Sequence, residues 1–135
     1  YLERKDFGAA LPEMYNLNRI GTLHSKLYRR QILDGLKYNE TIKMLGDAMF
    51  VTKVLERTGS IEVINDSDYF SIRYNTRCIT KQVDPDLFQT HIAVDHAIQE
   101  SMRRCGWMND GMQGSIDKRC VGAAKLCINS IRMGT

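Results

Sequence analysis

Five basic side chains make the clearest chemical pattern. Lys43, Lys53 and Arg57 fall where apolar residues recur at helical spacing, and Arg73 and Arg77 where apolar and polar residues alternate. Cations on a helix and on the wet face of an adjacent strand suit contact with phosphates, which position a protein on nucleic acid without reading its bases. Gly46 stands where a helix-turn-helix motif keeps its turn glycine, with Ile42 before it and Leu55 after it. A hairpin following the second helix would then be a wing. Against this, the stripe Met44, Ala48, Val51, Leu55 passes Gly46 without a break in phase, so one continuous helix explains the same residues.

A second constellation is Trp107, Met108 and Met112 in a glycine-containing segment. On the surface they would form an adaptable face for another protein chain or for a second copy of this one. Inside, they would cap the last two helices.

His91 and Asp95 stand four apart, share a helix face and could chelate an ion. His96 points elsewhere, and no spacing singles out Cys105, Cys120 or Cys127 as a third ligand. His91 also lies on an apolar stripe, where a core-edge histidine beside a helix carboxylate is the simpler reading. Cys105 with a histidine base would make a thiol enzyme, but nothing in the sequence brings the two together. GxxxxGK[ST], GxSxG and HExxH are all missing. No catalytic residue, metal or cofactor is assigned.

The elements that would carry these residues follow from periodicity. Residues 1–11 read as a loose or docked arm. Pro12 suits the first turn of a helical stretch running to about Lys37, with Leu17, Ile20, Leu23, Leu27, Ile32 and Leu36 at mostly helical spacing and Gly21 or Gly35 placed to bend or end it. Asn39 is placed to cap a second helix that Gly59 would end. Ser60–Ile64 and Tyr69–Thr80 read as the strands of a hairpin around the polar turn Asn65-Asp66-Ser67-Asp68. Asp84-Pro85-Asp86 opens a third helix, ended at Cys105-Gly106, with Leu87, His91, Val94, Ile98 and Met102 on one face. Ser115 would cap the last helix, with Ile116, Cys120, Ala124, Cys127, Ile128 and Ile131 inward. The expected fold is α+β in one domain over 1–135: two helices, a central antiparallel hairpin and two helices, winged-helix-like in its first half.

Composition is compatible with that. The chain has 135 residues, 43% hydrophobic and 26% charged, enough for a core without disulfides. Net charge is +3, which permits an anionic partner without demanding one. No apolar run is long enough to cross a bilayer. The chain opens on Tyr1, as a processed or trimmed product would. The 4 cysteines form no CxxC, and free thiols in a reducing, intracellular setting (cytoplasmic or nuclear) are expected.

The functional expectation is a non-enzymatic binding or assembly module. It would contact nucleic acid or a nucleoprotein through Lys43, Lys53, Arg57, Arg73 and Arg77. The alternatives are a structural subunit using Trp107, Met108 and Met112, and a small metal- or thiol-dependent enzyme.

Overall fold

A computed structural model describes residues 1–17, 19–42, 44–64 and 85–133, the last four as backbone. The described elements are β1 (Leu2–Glu3), a 3-10 turn (Arg4–Asp6), α1 (Phe7–Asn16), α2 (Arg30–Leu33), α3 (Gly46–Arg57), β2 (Ser60–Ile61), α4 (Leu87–Arg104) and α5 (Asp110–Met133). The fold is mostly helical with one small antiparallel sheet, α+β in the broad sense. α4 packs against both α3 and α5, and α5 packs against α1.

The core lies where these four helices meet. Phe7, Leu11, Met102 and Met112 are fully buried, and Val94 and Ile98 nearly so. Burial of an apolar side chain of this size contributes about 1.5–3 kcal/mol each. Trp107 tilts onto Phe7 with ring centroids 5.3 Å apart.

The N-terminal segment differs from expectation because it supplies core. Residues 1–11 hold β1, the 3-10 turn and half of α1, and they bury Phe7 and Leu11. Pro12 therefore sits inside α1 rather than at its start. Its ring removes the N–H that would have bonded to the Gly8 carbonyl one turn back. The Asn109 side-chain amide donates to that carbonyl instead, at 2.7 Å.

Helical spacing over 13–37 does not make one helix. Ser25 and Gly35 adopt positive φ (58° and 72°), which a continuous right-handed helix excludes. Leu17 and Leu27 are left exposed. Among the described residues of that stretch, the helical parts are the end of α1, to Asn16, and the single turn α2. Asn39 does not cap a helix; its carboxamide oxygen accepts from the Thr41 N–H at 3.1 Å, a local turn. α3 starts at Gly46, after Leu45 in the left-handed region at φ 66°. A side chain at Gly46 would meet the Tyr38 hydroxyl, which donates to Asp47 at 3.0 Å.

Gly46 is thus neither a helix-turn-helix corner nor part of a longer helix, and the segment before it holds only the four-residue α2. The winged-helix arrangement has no support. The strand expected at Ser60–Ile64 shortens to Ser60–Ile61 and pairs with the N-terminus, Leu2 opposite Ile61 and Glu3 opposite Ser60. Its expected partner Tyr69–Thr80 and the turn before it lie outside the described residues.

Arg4, not Gly59, finishes α3. Its guanidinium donates to the carbonyls of Glu56 (2.9 Å), Thr58 (3.0 Å) and Leu55 (3.3 Å) around the helix end, where the Leu55 oxygen also accepts from the Thr58 N–H at 3.0 Å. The same group lies 4.7 Å from the Trp107 ring centroid. α4 ends as expected at Cys105-Gly106. Gly106 is left-handed at φ 70°, and the Trp107 and Gly106 amides return to the Met102 and Arg103 carbonyls at 2.9 and 3.1 Å. α5 begins well before Ser115, because Asn109 caps it: its side-chain oxygen accepts from the Met112 N–H at 2.9 Å.

Candidate functional site

Four segments converge on a cleft of about 700 Å³. The end of α1 brings Tyr15 and Asn16, and the following loop brings Gly21. Leu45 comes from the strained turn before α3. α4 supplies His91, and α5 supplies Ser115, Lys118 and Arg119.

Behind this lining lies a polar cluster. Arg119 Nε pairs with Asp95 Oδ1 at 3.1 Å. Arg119 Nη1 donates to the Tyr15 hydroxyl oxygen at 3.0 Å, and that hydroxyl faces Asp95 Oδ1 at 3.4 Å. The guanidinium also lies 5.3 Å from the Tyr15 ring centroid. Tyr15 and Asp95 are buried at 8% and 4% exposure, and the Arg119 side chain at 19%.

The bonding is incomplete. Asp95 Oδ2, Arg119 Nη2 and His91 Nδ1 are buried without a hydrogen-bond partner. An unsatisfied buried polar atom costs about 1–3 kcal/mol, so three within one cluster need a reason. A second oddity adjoins them. Leu45, which lines the cleft, is a non-glycine residue held at positive φ. Strain of this kind concentrates at ligand sites.

Burial sets the protonation states. It pushes the Tyr15 phenol far above its ordinary value, Asp95 adding to the rise and Arg119 opposing it. Burial raises the Asp95 carboxyl, while Arg119 and the Tyr15 hydroxyl hold the rise in check. Burial also lowers the His91 imidazole, with the positive Arg119 adding to the effect. His91 is therefore neutral at pH 7.

Of the five basic residues singled out in the sequence, Lys53 and Arg57 are among the described residues. Lys53 and Arg57 are exposed on α3, one turn apart. Arg57 already donates to the Asp34 carbonyl at 2.6 Å and the Ile32 carbonyl at 3.4 Å, tying α2 to α3. Lys43, Arg73 and Arg77 lie outside the described residues. Trp107 and Met112 are buried, and Met108 is half-buried against the core. These three pack the ends of α4 and α5 together, so the expectation of a surface patch is corrected: apolar bulk of this kind was recruited by Phe7 from the N-terminal segment.

His91 and Asp95 do share a face of α4, but Arg119 occupies Asp95. Among the described residues no three His, Cys, Asp or Glu side chains are grouped to hold a metal. Cys105, Cys120 and Cys127 are free thiols, each partly exposed, and Cys78 lies outside the described residues.

Sequence reasoning missed Arg119. The signal was its phase. Met112, Ile116 and Ala123 are buried on α5, and Arg119 falls between them on the same face. An arginine in the middle of an apolar stripe needs a buried carboxylate, and Asp95 on the apolar face of α4 is the matching half.

Comparison with family models, with curated proteins and with solved structures finds no match. Among the described residues no helix is long and apolar enough to cross a membrane.

Proposed function

We propose that this chain is a binding module that holds a small anionic ligand in the cleft between α1, α4 and α5. One observation carries the reading: His91 and Arg119 line the cleft, and each keeps a buried nitrogen without a partner. Buried polar groups in native proteins are satisfied, by protein or by something bound. The arginine nitrogen is a charged donor, and Lys118 adds an exposed cation at the same opening. The cleft size falls within the range of about 300–1,000 Å³ for small-molecule sites.

The test is a two-dimensional amide NMR titration with acetate and with inorganic phosphate, each against chloride at matched ionic strength. At least one of the two should shift Tyr15, Asn16, Leu45, His91 and Arg119 together. Lys118→Glu, at an exposed position, should weaken that response. Shifts no larger than those in chloride would overturn the reading.

A second reading rests on Lys53 and Arg57, exposed one turn apart on α3. With Lys43, Arg73 and Arg77 they would contact a nucleic acid or nucleoprotein through its phosphates. Binding of a generic oligonucleotide should then fall steeply with salt. Lys53→Glu combined with Arg57→Glu should abolish it, and unchanged binding rules the reading out.

A further inference from the structure

The longest helix presents apolar side chains away from the helices it packs against. On α5, Met112, Ile116 and Ala123 are buried in the core. Ser115 and Arg119 turn to α1, where they donate to the Pro12 carbonyl at 3.3 Å and the Tyr15 hydroxyl oxygen at 3.0 Å. The flank away from both holds Val121 and Ile128, exposed at 55% and 52%.

These two residues belong to a regular line. Gly114, Val121 and Ile128 recur every seven residues, the spacing of a seam between two helices. Asp117 and Lys125 stand about one turn before and one turn after Val121, and both are exposed. Asp117 accepts from the Gln113 amide at 2.8 Å, a neutral donor that leaves its charge uncompensated. A side chain at Gly114 would meet nothing within 4 Å. The line therefore has an open gap at one end, a projecting side chain at the other, and a charge of each sign between them.

This order is its own complement when reversed. In an antiparallel pair with the two Val121 side chains in contact, a residue before Val121 lies level with the one equally far after it on the other helix. Asp117 then faces Lys125 of the second copy, each four positions from Val121. Gly114 faces Ile128 of the second copy, each seven positions away, so the projecting side chain enters the open space. Each pairing occurs twice, as a two-fold axis requires. A parallel copy would set Asp117 against Asp117 and Lys125 against Lys125.

We infer that this flank of α5 is an interface with a second copy of the chain, an antiparallel helix pair centred on Val121. It stands apart from the anion reading, because α5 lines the cleft with Ser115, Lys118 and Arg119, none of them on this line. A single helix pair is small beside stable specific interfaces, which bury at least about 1,200 Å² in total. Association is therefore weak and reversible.

Sedimentation equilibrium of the full chain, under reducing conditions and from micromolar to millimolar concentration, tests it. The average mass should rise reversibly from monomer towards dimer. Asp117→Lys and Lys125→Asp should each weaken dimerisation by about tenfold, since each sets like charges face to face at two places. Mixed in equal amounts, the two variants should associate as strongly as the original chain, because every facing pair is then opposite in charge. Recovery on mixing also shows that both variants are folded. Val121→Glu, at an exposed position, should abolish association. A chain that stays monomeric at millimolar concentration overturns the inference and leaves the flank to a different partner. A dimer indifferent to both charge reversals, or variants that gain nothing on mixing, overturn it as well, because the copies then meet elsewhere or in another register.

Discussion

Two clusters in this molecule share one set of ingredients: a carboxylate, an arginine and a hydroxyl. At the outer ends of α3 and α4, Glu56 accepts from the Ser101 hydroxyl and from Arg104. At the cleft, Asp95 faces Arg119 and the Tyr15 hydroxyl. The first cluster is half in water. Burial opposes the ionisation of Glu56, but Ser101, Arg104 and the nearby Lys53 together outweigh it, and its carboxyl is held below the ordinary value. In the second, burial prevails over Arg119 and the carboxyl is raised. The same chemistry acts as a staple between two helices where water can complete its bonds. At the cleft the same chemistry is more deeply buried and leaves bonds open.

The largest effect should come from splitting the buried pair. Arg119→Met leaves the buried Asp95 without its cation, at a cost of about 3–5 kcal/mol. Urea unfolding followed by circular dichroism measures it. Adding Asp95→Leu removes the stranded charge, and the double variant should recover most of the loss. A double variant as unstable as the single one would show that packing around Arg119, not charge pairing, holds the cluster.

The neighbouring histidine gives a smaller, pH-dependent effect. Burial and Arg119 depress the folded pKa of His91 below the ordinary 6.5. The unfolded chain then takes up a proton before the folded one does. The contribution of His91 to stability is complete above the unfolded value and is lost as pH falls through the window beneath it. Melting temperature should drop between pH 7 and pH 5, and His91→Gln should flatten that part of the curve. An imidazole resonance of His91 titrating at 6.5 or above contradicts the buried, neutral assignment.

Much of the C-terminal half could be read from sequence, and the reason is local. The α4 stripe His91, Val94, Ile98, Met102 is buried as its spacing implies, and Cys105-Gly106 ends the helix by a rule that involves only adjacent residues. The N-terminal half was misplaced because its outcome is set by distant partners. Pro12 is tolerated inside α1 since Asn109 satisfies Gly8, and α3 ends where Arg4 reaches it. The regular leucines of 17–36 describe a helix that Ser25 and Gly35 do not allow. The cleft was visible only in halves. Tyr15 and Arg119 are 104 positions apart, and neither residue alone reveals that Asp95 joins them.

The smallest effect should come from the outer cluster, and it separates charge from stability. Arg104 is exposed, so Arg104→Gln should scarcely move the unfolding midpoint at pH 7. It should nevertheless shift the Glu56 titration, because Arg104 is one of the groups that hold that carboxyl down. A depressed folded pKa gives stability that is present above the ordinary carboxylate value and disappears as pH falls through the folded one. Losing Arg104 raises the folded value towards the ordinary one, so the stability lost in acid should be smaller in the variant and its loss complete at higher pH. Carboxyl-carbon NMR of Glu56 reads this directly. An unchanged Glu56 titration would mean that Ser101 and Lys53 hold the carboxyl down without Arg104, and that the two clusters differ in their chemistry as well as in their exposure.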